Sequence, residues 1–289
     1  MSSFDFTDQP PVNTEPMLRD QYAVVGNPIA HSKSPEIHRA FAGQTNQALE
    51  YKALELPIDS FEAKLRALQQ LNYKGVNVTV PFKQQAWAVC DDRSPRAEEA
   101  GAVNTLIFRD DGKISGDNTD GAGLARDLVN NHNVLINGRK ILILGAGGAV
   151  RGVLAPLLEL GPTSVTIANR TVNKAQDLAD VFHLAGGLKA CGYDDLSNQQ
   201  FDLIINGTSA GLKQEIPLIT NEVLGTDSVC YDMMYNTLAP TAFVEWAKNH
   251  GAAQAIDGLG MLVEQAAESF YIWRGIHPET ADIIQYLRR

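Results

Sequence analysis

One stretch, KILILGAGGAVRG at residues 140–152, narrows the possible folds more than any other. An aliphatic run of this kind suits a strand buried on both faces of a parallel sheet. It stops at Gly145-Ala146-Gly147-Gly148-Ala149, where the chain must turn tightly and enter a helix. Such a turn bares backbone N–H groups at a helix N-terminus, where the charge of a phosphate is held well. As a dinucleotide fingerprint it is incomplete, because the third glycine of G-x-G-x-x-G falls at position 150, which is Val. The strand before and the helix after favour a dinucleotide site over a plain strand-to-helix joint.

From Gln21 the same alternation runs along the chain. QYAVVG, ALEYKALEL, GVNVTV and VNTLIF read as strands, with PEIHRAFAGQ and SFEAKLRALQQL as helices between them. KILILG, SVTIANR, FDLIING and DSVCYDM form a second series. Strands alternating with helices predict βαβ units, largely parallel sheets and an α/β fold. The turn-rich RDDGKISGDN interrupts the rhythm, a helix is expected near Thr119, and GLGMLVEQAAESFYIW and PETADIIQYLRR read as closing helices. The expected organisation is a disordered tail over residues 1–20, a first domain over 21–120 and a Rossmann-type domain over 121–258. The helices within 259–289 are expected to pack back on the first domain, with a deep cleft between the two domains.

A chain of 289 residues, 44% hydrophobic and 20% charged, has room for two ordinary globular cores. Its net charge of −10 excludes a general nucleic-acid surface, which needs clustered cations. Cys90, Cys191 and Cys230 are scattered and suggest no disulfide framework, and the six His form no metal-ligand pattern, so no metal is expected. No apolar run is long enough to span a membrane. The opening MSSFDFTDQPPVNTEP lacks a basic-then-apolar signal pattern, so the cytoplasm is the expected compartment.

Two further stretches bear on chemistry. The second strand of the nucleotide unit ends in Asn169-Arg170-Thr171, with Lys174 a turn later. An NAD-preferring site places an acid there for the ribose hydroxyls. A carboxylate would repel a 2′-phosphate, whereas a guanidinium holds one bidentately. NADP is therefore the expected cofactor, against the plainer reading of a solvated Arg in a loop. In NVTVPFK, residues 77–83, the strand stops at Pro81 and Lys83 lands where a helix should start. The positive end of a helix dipole disfavours a cation, so an amine held there points to a use for it.

These motifs, taken together, resemble the shikimate dehydrogenase family from about residue 22 to residue 275. The resemblance is carried by Ser32-Lys33-Ser34-Pro35, NVTVPFK, GAVNT (101–105), GDNTDGAG (116–123), GAGGA, NRT, NGTSAGL (206–212), DMMY (232–235) and GLGMLVEQA (258–266), in order. It implies reversible NADP-dependent interconversion of shikimate and 3-dehydroshikimate in aromatic amino acid biosynthesis. By similarity, Lys83 and Asp120 are the catalytic pair. Ser32, Ser34, Asn77, Thr79, Asn104, Tyr235 and Gln265 join them as substrate contacts. The cofactor set is Gly145, Ala146, Gly147, Gly148, Ala149, Asn169, Arg170, Thr171, Lys174, Thr208, Met233, Gly258 and Met261.

Plainer roles stand beside these. Asp120 is favoured on dipole grounds in any helix's first turn. Ser34 could cap the helix that begins at Pro35, and Met233 and Met261 could be core filler. Where relatives often carry an acid twelve residues beyond the lysine, this chain has Pro95. Two rival functions remain: a quinate/shikimate dehydrogenase with broader acid or NAD use, and a nucleotide-binding sensor without catalysis. The expected partners are small molecules alone, with no nucleic acid or membrane, in a monomer or homodimer.

Overall fold

The computed structural model describes residues 19–182, 188–208, 210 and 215–289. Residues 1–18 of the expected tail, and Ser209, Gly211 and Leu212 of NGTSAGL, lie outside the described residues.

The first sheet contains β1 (Asp20–Gly26), β2 (Leu49–Glu55), β3 (Tyr73–Val78), β4 (Asp92–Arg93), β5 (Thr105–Phe108) and β6 (Ile114–Asp117). Their order is β2-β1-β3-β5-β6-β4. Helices α1 (Ser34–Gln44), α2 (Phe61–Gln70), α3 (Lys83–Val89) and α4 (Pro95–Ala100) connect them. β1 runs parallel to β2 and β3, as βαβ units require. β5 is antiparallel to both β3 and β6, so this sheet is mixed rather than largely parallel. The cause lies in RDDGKISGDN. Gly112 adopts φ +83°, the chain folds straight back, and a hairpin needs no crossover helix. The stretch that reads as a break thus carries β6.

The second sheet contains β7 (Lys140–Leu144), β8 (Ser164–Ala168), β9 (Leu188–Cys191), β10 (Phe201–Asn206), β11 (Leu224–Asp232) and β12 (Gln254–Asp257). All its pairings are parallel, in the order β12-β11-β10-β7-β8-β9. Counted from β7, this is the 3-2-1-4-5-6 arrangement of doubly wound dinucleotide folds. Strand order reverses between β7 and β10, so a crevice opens at their C-terminal ends. The remaining helices are α5 (Asp120–Arg126), α6 (Gly148–Glu159), α7 (Val172–Val181), α8 (Ala242–Asn249), α9 (Leu259–Arg274) and α10 (Ala281–Leu287).

The two closing helices return to the first sheet. Leu259, Val263 and Phe270 of α9 and Ile283 and Leu287 of α10 share a core with β1, β2 and α1. Leu124 of α5 belongs instead to the core of the second sheet. α5 therefore lies between the two cores, and two glycines of GDNTDGAG permit this. A Cβ at Gly121 would sit 2.8 Å from the Gly152 carbonyl oxygen of α6. A Cβ at Gly123 would sit 2.8 Å from the Met261 carbonyl oxygen and the Gln265 nitrogen of α9. Backbone cannot yield as a flexible side chain can, so α5 must shift if either residue is enlarged. Gly123→Ala should lower stability by about 1–3 kcal/mol through this overpacking. Urea unfolding of the variant beside the parent chain checks it.

Candidate active site

Two helix N-termini meet at the seam between the sheets. Lys83 is the first residue of α3 and Asp120 the first of α5. Lys83 Nζ lies 2.5 Å from Asp120 Oδ2, with the carboxylate side chain the more buried of the two. α3 starts at Lys83 with Phe82 as its N-cap, and Pro81 belongs to the preceding turn. The dipole of α5 favours its carboxylate, and that carboxylate in turn offsets the unfavourable placement of the ammonium. The other carboxylate oxygen, Oδ1, accepts from Asn104 Nδ2 at 2.8 Å. The Asp120 backbone N–H donates to Asn118 Oδ1 at 3.1 Å.

The neighbouring candidates divide into groups that line this seam and groups that support it. Ser34 opens α1 and makes no side-chain cap, so capping does not explain its hydroxyl. Its backbone N–H donates to Ser32 Oγ at 3.3 Å. Thr79 follows β3 beside Gly26, which leaves room for its methyl group. Gln265 Oε1 accepts from Asn104 Nδ2 at 3.3 Å. Tyr235, in the loop after β11, packs against the core of the first sheet. Asn77 is buried, and its amide is engaged by Tyr51, Asn104, Thr105 and Ser269. Tyr51, Thr105 and Ser269 were not singled out from the sequence, where a buried hydroxyl carries no pattern of its own.

A charge network braces the turn that bears Asp120. Arg96 pairs with Asp117 at 2.7 Å and with Glu268 at 3.0 Å, and Arg126 pairs with Glu268 at 2.5 Å. Asp117 also accepts the Asn118 backbone N–H. Pro95 is the first residue of α4, whose N-cap is Ser94.

The crevice of the second sheet has the features a phosphorylated dinucleotide needs. Gly145 turns with φ +104°, a conformation open chiefly to glycine. A Cβ there would sit 3.2 Å from Thr208 Cγ2 and from Gly207 across the switch point. Val150 occupies the place of the fingerprint's third glycine, and Gly207 compensates, since a Cβ there would overlap Val150. Gly147 and Gly148 face open space at the start of α6, where Ala149 follows. Its first turn has no acidic residue, so its backbone N–H groups can take an anion. Asn169, Arg170, Thr171 and Lys174 follow β8, and among the described residues Arg170 and Lys174 have no carboxylate partner. Met233 follows β11 and Gly258 caps α9, while Met261 is buried in the core of the second sheet. A hollow of about 600 Å³ along β12, lined by Lys248, Asp257 and Arg288, contains none of these residues. Among the described residues no group of His, Cys, Asp and Glu could hold a metal ion, and no helix is long and apolar enough to cross a membrane.

Fold and site together define a two-domain α/β protein of the dinucleotide-binding class. The model of the shikimate dehydrogenase substrate binding domain matches residues 24–106. That of shikimate / quinate 5-dehydrogenase matches 125–225, and that of the shikimate 5′-dehydrogenase C-terminal domain matches 258–288. Shikimate dehydrogenase (NADP(+)) of Alkalilimnicola ehrlichii is 56% identical, over 94% of this chain and 99% of its own. Among solved structures, an Ael1 enzyme from Pseudomonas putida superposes with a TM-score of 0.89 at 44% identity, covering 93% of this chain and 98% of that one. The shikimate 5-dehydrogenase of Thermus thermophilus, solved with NADP(H) and shikimate, gives 0.83 at 32%, covering 93% and 99%. The chain belongs to the shikimate dehydrogenase family.

Burial alone would raise the Glu268 carboxyl, but Arg126 and Arg96 outweigh it and hold that group below the usual glutamate range. A carboxyl depressed in the folded state contributes stability above its unfolded value and loses it as pH falls through the folded one. Glu268→Gln should therefore lose about 2 kcal/mol at neutral pH. The difference from the parent chain should close as the solution is acidified below the ordinary glutamate range, which denaturant titrations at a series of pH values check.

Proposed function

We propose that this chain is a shikimate dehydrogenase that reduces 3-dehydroshikimate to shikimate with NADPH, reversibly, in the chorismate route to the aromatic amino acids. The observation that carries the reading is the 2.5 Å contact between Lys83 and Asp120, an amine and a carboxylate from separate segments poised at one seam. NADPH, when bound, supplies the hydride. Lys83 Nζ holds the proton that the carbonyl oxygen needs, and in the oxidative direction removes it from the alcohol. Asp120 keeps that amine in place and accepts a substrate hydroxyl. The hydroxyls of Ser32 and Ser34 bind the substrate carboxylate, with Thr79, Asn104, Tyr235 and Gln265 fixing the ring through its other polar groups. Asn77 supports this set from below. The first sheet and its closing helices thus hold the substrate, and residues of the second sheet hold the cofactor. Closure of the cleft excludes water and aligns the reacting groups.

Arg170 and Lys174 support NADP over NAD, since two exposed cations without carboxylate partners among the described residues suit a 2′-phosphate. Broader use of quinate is the second reading, favoured by the matching family model's joint shikimate / quinate description. Comparing kcat/KM for the two acids with each cofactor separates them. The intact pair speaks against a sensor without catalysis. We place the enzyme in the cytoplasm, as a monomer or homodimer, and the free thiols of its three cysteines suit a reducing compartment.

Folded protein given shikimate and NADP should generate the absorbance of reduced nicotinamide, and a flat trace would reject the assignment. Lys83→Ala should reduce kcat by about a thousandfold or more while shikimate binding stays measurable by calorimetry. Arg170→Ala should raise KM for NADP about tenfold and leave KM for NAD nearly unchanged. Equal effects on the two cofactors would remove the 2′-phosphate role.

A further inference from the structure

We propose that Ser269 is a positioning residue for this reaction, the middle link of a one-way hydrogen-bond chain that runs from Tyr51 to the Asp120 carboxylate. The proposal deepens the dehydrogenase reading above and rests on it. Ser269 lies on α9 and exposes no surface. Its hydroxyl is 3.0 Å from Asn77 Nδ2 and 2.7 Å from Thr105 Oγ1.

The direction of the chain follows from two backbone groups whose polarity is fixed. The Thr119 N–H can only donate and points at Asn104 Oδ1, 2.9 Å away. Asn104 Nδ2 must then face Asp120 Oδ1, at 2.8 Å. The Asn104 carbonyl can only accept, and lies 3.1 Å from Asn77 Nδ2. That leaves Asn77 Oδ1 to accept the Tyr51 hydroxyl at 2.6 Å. Thr105 Oγ1 donates its one proton to Asn104 Oδ1 at 2.8 Å. The short contact between Thr105 and Ser269 therefore needs the Ser269 proton, and the Gln265 carbonyl at 3.1 Å and Thr119 Oγ1 at 3.2 Å are the more distant alternative acceptors. Tyr51, Asn77, Ser269, Thr105, Asn104 and Asp120 each donate to the next.

Hydrogen bonds aligned in this way polarise one another, and in a buried site each link holds its neighbours to one orientation. Ser269 is the only member of the chain on α9; the others come from the first sheet, its loops and the start of α5. Through it, the closing helix adds a partner that steadies two carboxamides in the orientation those backbone groups select. One of them grips the Asp120 carboxylate directly. Tyr51 at the far end is itself fixed by stacking on His38, with ring centroids 4.1 Å apart and planes 6° from parallel. Without the Ser269 hydroxyl, Asn77 and Thr105 each lose a partner, and the Asn104 carboxamide is held less firmly against Asp120.

Ser269→Ala and Ser269→Cys test this. Cysteine fills the space but is a weak hydrogen-bonding group, so both variants should behave alike. Each should raise KM for shikimate about tenfold, lower kcat about threefold and leave KM for NADP within twofold. In ligand-free protein, the carboxamide protons of Asn77 and Asn104 should exchange faster with solvent by NMR. Full activity in the cysteine variant would make the effect one of packing and overturn the proposal. Unchanged kinetics and exchange in the alanine variant would overturn it as well. The NMR arm needs no substrate, so faster exchange in a protein inactive on shikimate would sustain the chain and refute the dehydrogenase reading. Should Ser269→Ala fail to fold, Thr105→Val removes the adjacent link and carries the same expected outcomes.

Discussion

The contact between Lys83 and Asp120 places the first residues of two helices against each other. An ammonium in a first helical turn is disfavoured by about 0.3–1 kcal/mol, and a carboxylate is favoured by a similar amount. Neither residue would hold this position as well alone. The amine tolerates its helix because the acid faces it, and the mostly buried acid has the amine on one oxygen and the Asn104 carboxamide on the other. Much of the surrounding architecture serves to bring these two termini together.

α5 is the part that makes this possible. It joins the first sheet to the second, and its glycines let the backbones of α6 and α9 approach closely. The same helix starts with the proposed catalytic acid and contributes to the core of the nucleotide-binding sheet. The network of Asp117, Arg96, Glu268 and Arg126 then ties the turn before Asp120 to α4 and α9. Pairs of this kind contribute little to net stability compared with apolar packing, but breaking one partner is costly. Their value here lies in fixing the geometry of a junction between two cores.

Much of this was legible in the sequence. Apolar runs, two of them ending in glycine, marked four strands of the second sheet, and the mismatch between Lys83 and its helix drew attention to that lysine before any resemblance was invoked. Other features escaped for identifiable reasons. β6 hides within RDDGKISGDN because four residues with an internal glycine give no alternation to read. β9 and β12, at four residues each, are similarly short. The support of the site was the least visible part. Asn77 and Ser269 are separated by 192 positions and meet only once α9 returns to the first sheet. Val150 looked like a defect in the glycine turn, and its compensation by Gly207 is spatial rather than sequential.

The central claim is that Lys83 and Asp120 act as one unit. A double-mutant cycle on kcat/KM for shikimate, using Lys83→Ala, Asp120→Asn and the combined variant, measures this most directly. If the two share a single task, the double variant should be no more than about threefold worse than the more damaged single variant. Losses that simply multiply would mean that the two residues act independently, and would contradict the account.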